Sequence, residues 1–263
     1  MFKVFILIVT ITAFTSCRNE QKPVAERATT PAKLNFKEIK APIPFAGSYV
    51  SEKYLTSIRD KKSPRKAQES IEECFIRIPD NTLVPTSMII NFHETLTDLV
   101  PLNHNGTYEL WEKQNDSLTK ARYTIEIVAA DKIKIGNNIF VKINPDIADN
   151  QPRILEEILF KGTYAMKNGE KVEFKNNGEV IGLGKYKYYA PLIDYFDAGL
   201  DIDQVGLGET RDKLTNFGFK FSKNGLDLYD LKCKTFDKKE NRCVEVDFGN
   251  KVFDLNIPQS NVK

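Results

Sequence analysis

Six turn-forming dipeptides set the strongest limit on what this 263-residue chain can fold into: Asn105-Gly106, Gly136-Asn137, Asn168-Gly169, Asn177-Gly178, Asn224-Gly225 and Gly249-Asn250. Asn and Gly reach positive φ at little steric cost, so such pairs reverse the chain between antiparallel strands. The arms between them alternate with period two. Phe75 and Arg77 oppose Ile76 and Ile78, while Met88, Ile90 and Phe92, then Tyr123, Ile125 and Ile127, then Ile139, Val141 and Ile143 each share one face. The pattern predicts a mainly β fold, an antiparallel meander of roughly ten strands. A meander of that size must hide its edges, by closing into a barrel or packing as a sandwich. One large barrel-like or sandwich unit over residues 45–263 is expected. The alternative is two β-domains divided near Asn144 to Arg153, where Pro145 and Pro152 interrupt the pattern.

One or two short helices are expected near the N-terminal end of that unit. Tyr54, Leu55 and Ile58 recur at helical spacing, and Ser63-Pro64 supplies an N-cap and a first-turn proline ahead of Arg65 to Glu73. The triplets Gly47-Ser48-Tyr49, Gly106-Thr107-Tyr108 and Gly162-Thr163-Tyr164 are alike, but the residues between them do not match. They are read as strand starts rather than as an internal repeat. Composition is globular, 41% hydrophobic and 28% charged, and the net charge is only +2. That balance argues against bulk electrostatic attraction to nucleic acid.

The first residues carry the address. Lys3 precedes an apolar run from Val4 to Phe14, broken only by Thr10 and Thr12, and Thr15-Ser16-Cys17 closes it before the polar Arg18-Asn19-Glu20. This is the layout of a secretory signal peptide over residues 1–16, too short for the ~20 residues of a spanning helix. Ala13-Phe14-Thr15-Ser16-Cys17 resembles the lipobox of bacterial lipoproteins, with Phe14 where an aliphatic residue is usual. The resemblance covers residues 1–17. It implies cleavage before Cys17, multiple acyl chains such as palmitate on that residue, and a place on a membrane of the bacterial cell envelope, the outer one being expected. Acyl chains contribute about 0.8 kcal/mol per buried methylene, enough to hold a protein without a spanning helix. Residues 17–44, with Pro23, Pro31, Pro42 and Pro44 and few large apolar side chains, read as a flexible lipidated tether.

The Gly-x-aromatic opening at Gly47-Ser48-Tyr49, the meander, and the late strand Asn224-Gly225-Leu226-Asp227-Leu228-Tyr229 are similar to bacterial lipocalin-like lipoproteins. The helical segment Tyr54 to Glu73 and Tyr49 in place of Trp depart from that family. The resemblance implies either a ligand cavity or a protein-contact surface.

The remaining cysteines sit in a compartment that oxidises thiols. Cys233 and Cys243 are symmetric about Lys238, with polar turn residues Asp237 to Glu240 between them, so a long hairpin is expected to join them in a cross-strand disulfide. Cys74 is left over and is expected buried and reduced. No catalytic, cofactor or metal motif is legible. His93-Glu94 point to opposite faces of a strand, His104 sits in a turn, and Asp194, Asp197, Asp201 and Asp203 lack the glycine and closing Glu of a calcium loop. Gly182-Leu183-Gly184 reads as a kink or bulge. Tyr186, Tyr188, Tyr189, Tyr195 and Phe196 form the densest aromatic group. Filling of the core is the simplest role for these rings. A binding role, for which Tyr186, Tyr188, Tyr195 and Phe196 are the candidate ligand residues, is the alternative. Two functions stay open: a non-catalytic lipoprotein whose β-domain binds a small apolar or amphipathic ligand, and an interaction module that recruits or stabilises other envelope proteins. A continuous apolar cavity marks the first; a filled interior with an exposed apolar patch marks the second.

Overall fold

The computed structural model describes residues 43–69, 71–81, 84–115, 117–144, 151–195 and 200–258. The signal peptide, Cys17 and the tether up to residue 42 lie outside the described residues, as does Phe196.

Two closed antiparallel barrels follow one another along the chain. The first comprises β1 (Gly47–Ser51), β2 (Glu73–Ile78), β3 (Thr86–Ile90), β4 (Glu94–His104), β5 (Thr107–Gln114), β6 (Ser117–Ala129), β7 (Lys132–Ile135) and β8 (Asn138–Ile143). It closes where β1 pairs with β8, Ser48 opposite Ile143 and Val50 opposite Val141. The second comprises β9 (Gly162–Ala165), β10 (Lys171–Phe174), β11 (Glu179–Leu183), β12 (Tyr186–Pro191), β13 (Gln204–Thr210), β14 (Lys213–Phe221), β15 (Gly225–Asp237) and β16 (Arg242–Asn256). Its seam is narrow, the single pair Asn256 and Ala165. In place of one large unit there are two smaller barrels, the first ending at Ile143, so the alternative division near Asn144 to Arg153 is the one the topology has. The physical reason is size: about eight strands already enclose an interior that side chains can fill.

Both barrels open on the same five-residue device. Phe45-Ala46-Gly47-Ser48-Tyr49 leads into β1 and Phe160-Lys161-Gly162-Thr163-Tyr164 into β9. The Tyr49 hydroxyl donates to the Phe45 carbonyl at 2.8 Å, and the Tyr164 hydroxyl to the Phe160 carbonyl at 3.2 Å. All four rings are buried. Each tyrosine thus carries its own polar end into the core already paired, as a buried hydroxyl requires. The triplets at residues 47–49 and 162–164 are matched barrel openings, not unrelated strand starts. Gly106-Thr107-Tyr108 is different: it is the turn of the β4–β5 hairpin, with His104 opposite Thr107.

Each interior is packed by its own side chains. Tyr49, Ile76, Met88, Leu99, Leu110 and Phe140 fill the first. In the second, the Phe160 ring lies 5.9 Å from Phe174, 5.5 Å from Tyr189 and 5.0 Å from Phe219. These edge-on and tilted ring contacts are the favoured geometry for aromatic packing.

A helical layer joins the two. α1 (Glu52–Lys61) follows β1 directly and α2 (Pro64–Gln68) follows it; Ser51 and Ser63 cap them, accepting from the amides of Tyr54 and Lys66 at 3.4 and 3.2 Å. Ser63-Pro64 starts a helix as its cap and N1 chemistry predicts, although the helix ends at Gln68 rather than near Glu73. α3 (Pro152–Leu155) continues as a π-helical turn over Glu156–Phe160. Tyr54, Leu55, Ile58, Ala67, Ile154 and Leu155 form one core with Cys74, which is free and buried. Burial pushes the Cys74 thiol up to about 12, so it is no nucleophile at neutral pH.

Two strand readings need correction. Phe92 does not share a face with Met88 and Ile90, because Asn91 and Phe92 adopt φ of 48° and 65° and turn the chain out of β3. Its ring packs instead 4.8 Å from Tyr54 in the helical layer. Gly249-Asn250 is not a turn but a bulge inside β16, where the register steps from Tyr229 opposite Lys251 to Leu231 opposite Phe248. A Cβ at Gly249 would lie 2.0 Å from Asp230 Oδ1, so glycine is needed for the close approach.

Candidate functional site

The tyrosines singled out by density do not converge. Tyr186 packs against Phe217 and Phe253 at 5.6 and 6.1 Å, at the edge of the second barrel's core. Tyr188 lies half-buried, with the Arg211 guanidinium 4.7 Å from its ring centre. Strict alternation would put Tyr186 with Tyr188 and against Tyr189. Tyr189 is buried in the core and Tyr186 reaches its edge, while β11 carries the irregularity, with Glu179 opposite Tyr188 and Leu183 opposite Tyr186. Tyr195 is 9% exposed and serves the junction between the barrels. Its hydroxyl accepts from the Gln204 amide at 2.9 Å and its own amide donates to Gln68 Oε1 at 3.2 Å.

That junction is polar as well as apolar. The Gln68 side-chain amide donates to the Ile193 carbonyl, and the Arg65 amide donates to Asp203 Oδ1 at 2.9 Å. Burial raises the Asp203 carboxyl even though Ser63 and Arg65 stabilise its charge. His93 Nδ1 stands 3.3 Å from Asp194 Oδ2. Asp201 pairs with Lys234 at 3.8 Å, and Asp197 lies outside the described residues. The aspartates are thus distributed among separate partners. His104 faces Glu109 at 3.6 Å, beside its turn. Among the described residues, no group of three or more His, Cys, Asp or Glu is gathered to hold a metal ion, and no helix is long and apolar enough to cross a membrane.

The surface that stands apart is the β15–β16 hairpin. β14 pairs with β15 only as far as Gly218 opposite Tyr229, and β9 touches β16 only at Asn256. Residues 230–237, roughly 25 Å of strand at about 3.3 Å per residue, therefore part from β14, which continues to Lys213 along β13, and keep β16 as their sheet partner. The base of this arm is braced by Tyr229 and Phe248, ring centres 5.0 Å apart, with the Lys220 ammonium 3.9 Å from the Phe248 ring centre. An isolated two-stranded ribbon is marginal in water, and here a cross-link supports it. Cys233 and Cys243 lie at disulfide distance, with Cα atoms 5.7 Å apart. They are not directly opposite, as symmetry about Lys238 suggests. Cys233 faces Val246 and Cys243 faces Phe236, and the bulges between Cys233 and Phe236 bring the sulfurs together on a diagonal. Closing so short a loop contributes on the order of 2 to 3 kcal/mol to ordering the arm. Beside the bridge Phe236 is 54% exposed, a large ring held out to solvent.

The surface also carries hollows, two of which lie beside α1. One of about 560 Å³ lies between α1 and the β7–β8 turn, with Glu52, Asp60 and Asn137 in its walls. Another of about 220 Å³ lies over one end of the second barrel. No protein-family model, no curated protein and no solved structure matches the chain.

Proposed function

We propose that the chain is a lipid-anchored protein of the bacterial cell envelope whose twin barrels form a non-catalytic body that presents the β15–β16 arm to another envelope protein. The observation that carries this reading is the arm. It parts from β14 beyond Tyr229, leaves its outer edges unpaired among the described residues, and displays Phe236 beside a cross-strand disulfide. An extended segment of the partner adds along the β15 edge, whose main-chain groups supply hydrogen bonds while Phe236 supplies an apolar anchor. Lys232, Lys234, Glu245 and Asp247 intersperse both signs of charge along the arm, a device that limits indiscriminate strand pairing. Carriage of a ligand inside a barrel calls for an apolar cavity of several hundred cubic ångströms. The packing of Phe160, Phe174, Tyr189 and Phe219, and of Tyr49 and Phe140, favours contact over carriage.

Anchoring belongs to the same proposal and rests on the lipobox-type residues ending at Cys17. Cys17→Ser is expected to leave a precursor or release soluble protein, read by detergent-phase partitioning and intact mass; an unmodified mature chain beginning elsewhere would end the lipoprotein reading. Replacing residues 232–247 by Asn-Gly closes the hairpin near the barrel. This variant is expected to keep its fold and anchoring while losing the partner that co-isolates with the full chain. Undiminished co-isolation would overturn the role of the arm.

A further inference from the structure

At the end where β14 finishes and β15 begins, the second barrel is stoppered by Phe160 and Phe221, ring centres 5.3 Å apart. Over this stopper lies the hollow of about 220 Å³, between the barrel rim and the end of α1. Tyr164, Phe221, Ile158 and Leu159 make its floor and walls, and the Tyr164 hydroxyl is already engaged with the Phe160 carbonyl. The charged residues of the lining are both cations, Arg59 and Lys62. Both are exposed and neither makes an ion pair among the described residues. Lys62 also closes α1 in the left-handed conformation, φ 49° and ψ 32°, its amide bonded to the Ile58 carbonyl. Glycine or asparagine is the usual choice there, and a lysine pays a conformational cost to hold its ammonium group at this rim.

The geometry points to a binding site for a short single-chain amphiphile with an anionic head, its chain in the apolar hollow and its head between Arg59 and Lys62. The volume fits the class. At about 220 Å³ the hollow is below the ~300 Å³ usual for drug-sized ligands, which suits one short chain and not a two-chain lipid. An apolar floor with convergent polar groups at the mouth of a barrel is the common form of a small-ligand site. The site is independent of the arm, which leaves the barrel from the far end of β15.

Octanoate is the probe, with octanol as its uncharged counterpart, titrated into the full chain by calorimetry. The expected result is saturable one-to-one binding of octanoate in the sub-millimolar range, weakened by salt, with octanol at least tenfold weaker. The double variant Arg59→Gln, Lys62→Gln changes exposed side chains, so its melting temperature is expected to hold while octanoate affinity falls at least tenfold and octanol affinity stays. Absence of saturation, equal affinity for octanoate and octanol, or undiminished octanoate binding by the folded double variant would each overturn the site. None of these results bears on whether the arm holds a partner.

Discussion

Phe160→Ala is expected to lower the unfolding free energy by about 4 kcal/mol, the range for deleting a fully buried ring. Phe160 is the last residue of the π-helical turn and is fully buried. Four rings, Phe174, Tyr189, Phe219 and Phe221, lie with centres 5.0 to 5.9 Å from its own. They are anchored on three strands, β10, β12 and β14, and cannot collapse together into the space, so the cavity term adds to the lost burial. The backbone carbonyl that accepts the Tyr164 hydroxyl survives the substitution, so the loss reports packing. Denaturant melts of the full chain check it, with Phe236→Ala as the exposed control, expected to change stability by less than about 0.5 kcal/mol. A loss at position 160 no larger than the control would mean that the second barrel is loosely filled.

Stability should also fall as pH rises from about 4.5 to about 7, through Glu156. This side chain is 3% exposed, its Oε2 has no hydrogen-bond partner, and burial pushes its carboxyl up to about 7. Arg153, Arg211 and the Gly178 amide oppose that rise without cancelling it. A folded-state pKa above the unfolded one means that the unfolded chain releases the proton first. The contribution is fully present below about 4.5, is lost progressively up to about 7, and stays lost above it. The span corresponds to a loss on the order of 3 kcal/mol. Because other carboxylates titrate in the same range, the informative quantity is the stability of Glu156→Gln minus that of the parent. It should grow with pH across this window, and a flat difference between pH 4 and pH 8 would contradict the buried, poorly paired carboxylate.

What the sequence made legible was what is local. Ser63-Pro64 announces a helix because cap and N1 proline act within one turn, and Cys233 and Cys243 announce a pair because a short hairpin leaves them few other partners. The register of that hairpin was not legible. Each bulge moves the pairing by one residue, and the bulges depend on close approaches such as Gly249 against Asp230. Pro145 and Pro152 mark the place where the chain divides, but closure of each barrel joins residues as distant as Ser48 and Ile143, which no local pattern encodes. A clue was present in Phe-x-Gly-[Ser/Thr]-Tyr at residues 45–49 and 160–164, masked by the hairpin triplet at Gly106. Tyr195 looked like a candidate ligand residue because its burial is imposed from outside its own barrel, by Gln68 on α2. The arm was legible only as a long hairpin, since its freedom follows from where β14 stops pairing.

The central claim is that the arm, and not the body, makes the functional contact. A photo-crosslinking phenylalanine analogue at position 236, in the full chain in its envelope, tests it most directly. The account predicts a discrete adduct of one partner mass, lost when Cys233 and Cys243 are both serine, and absent when the probe stands at Ile127, an exposed apolar residue of the first barrel at 47% accessibility. No adduct from position 236, or the same adducts from positions 236 and 127, would contradict it.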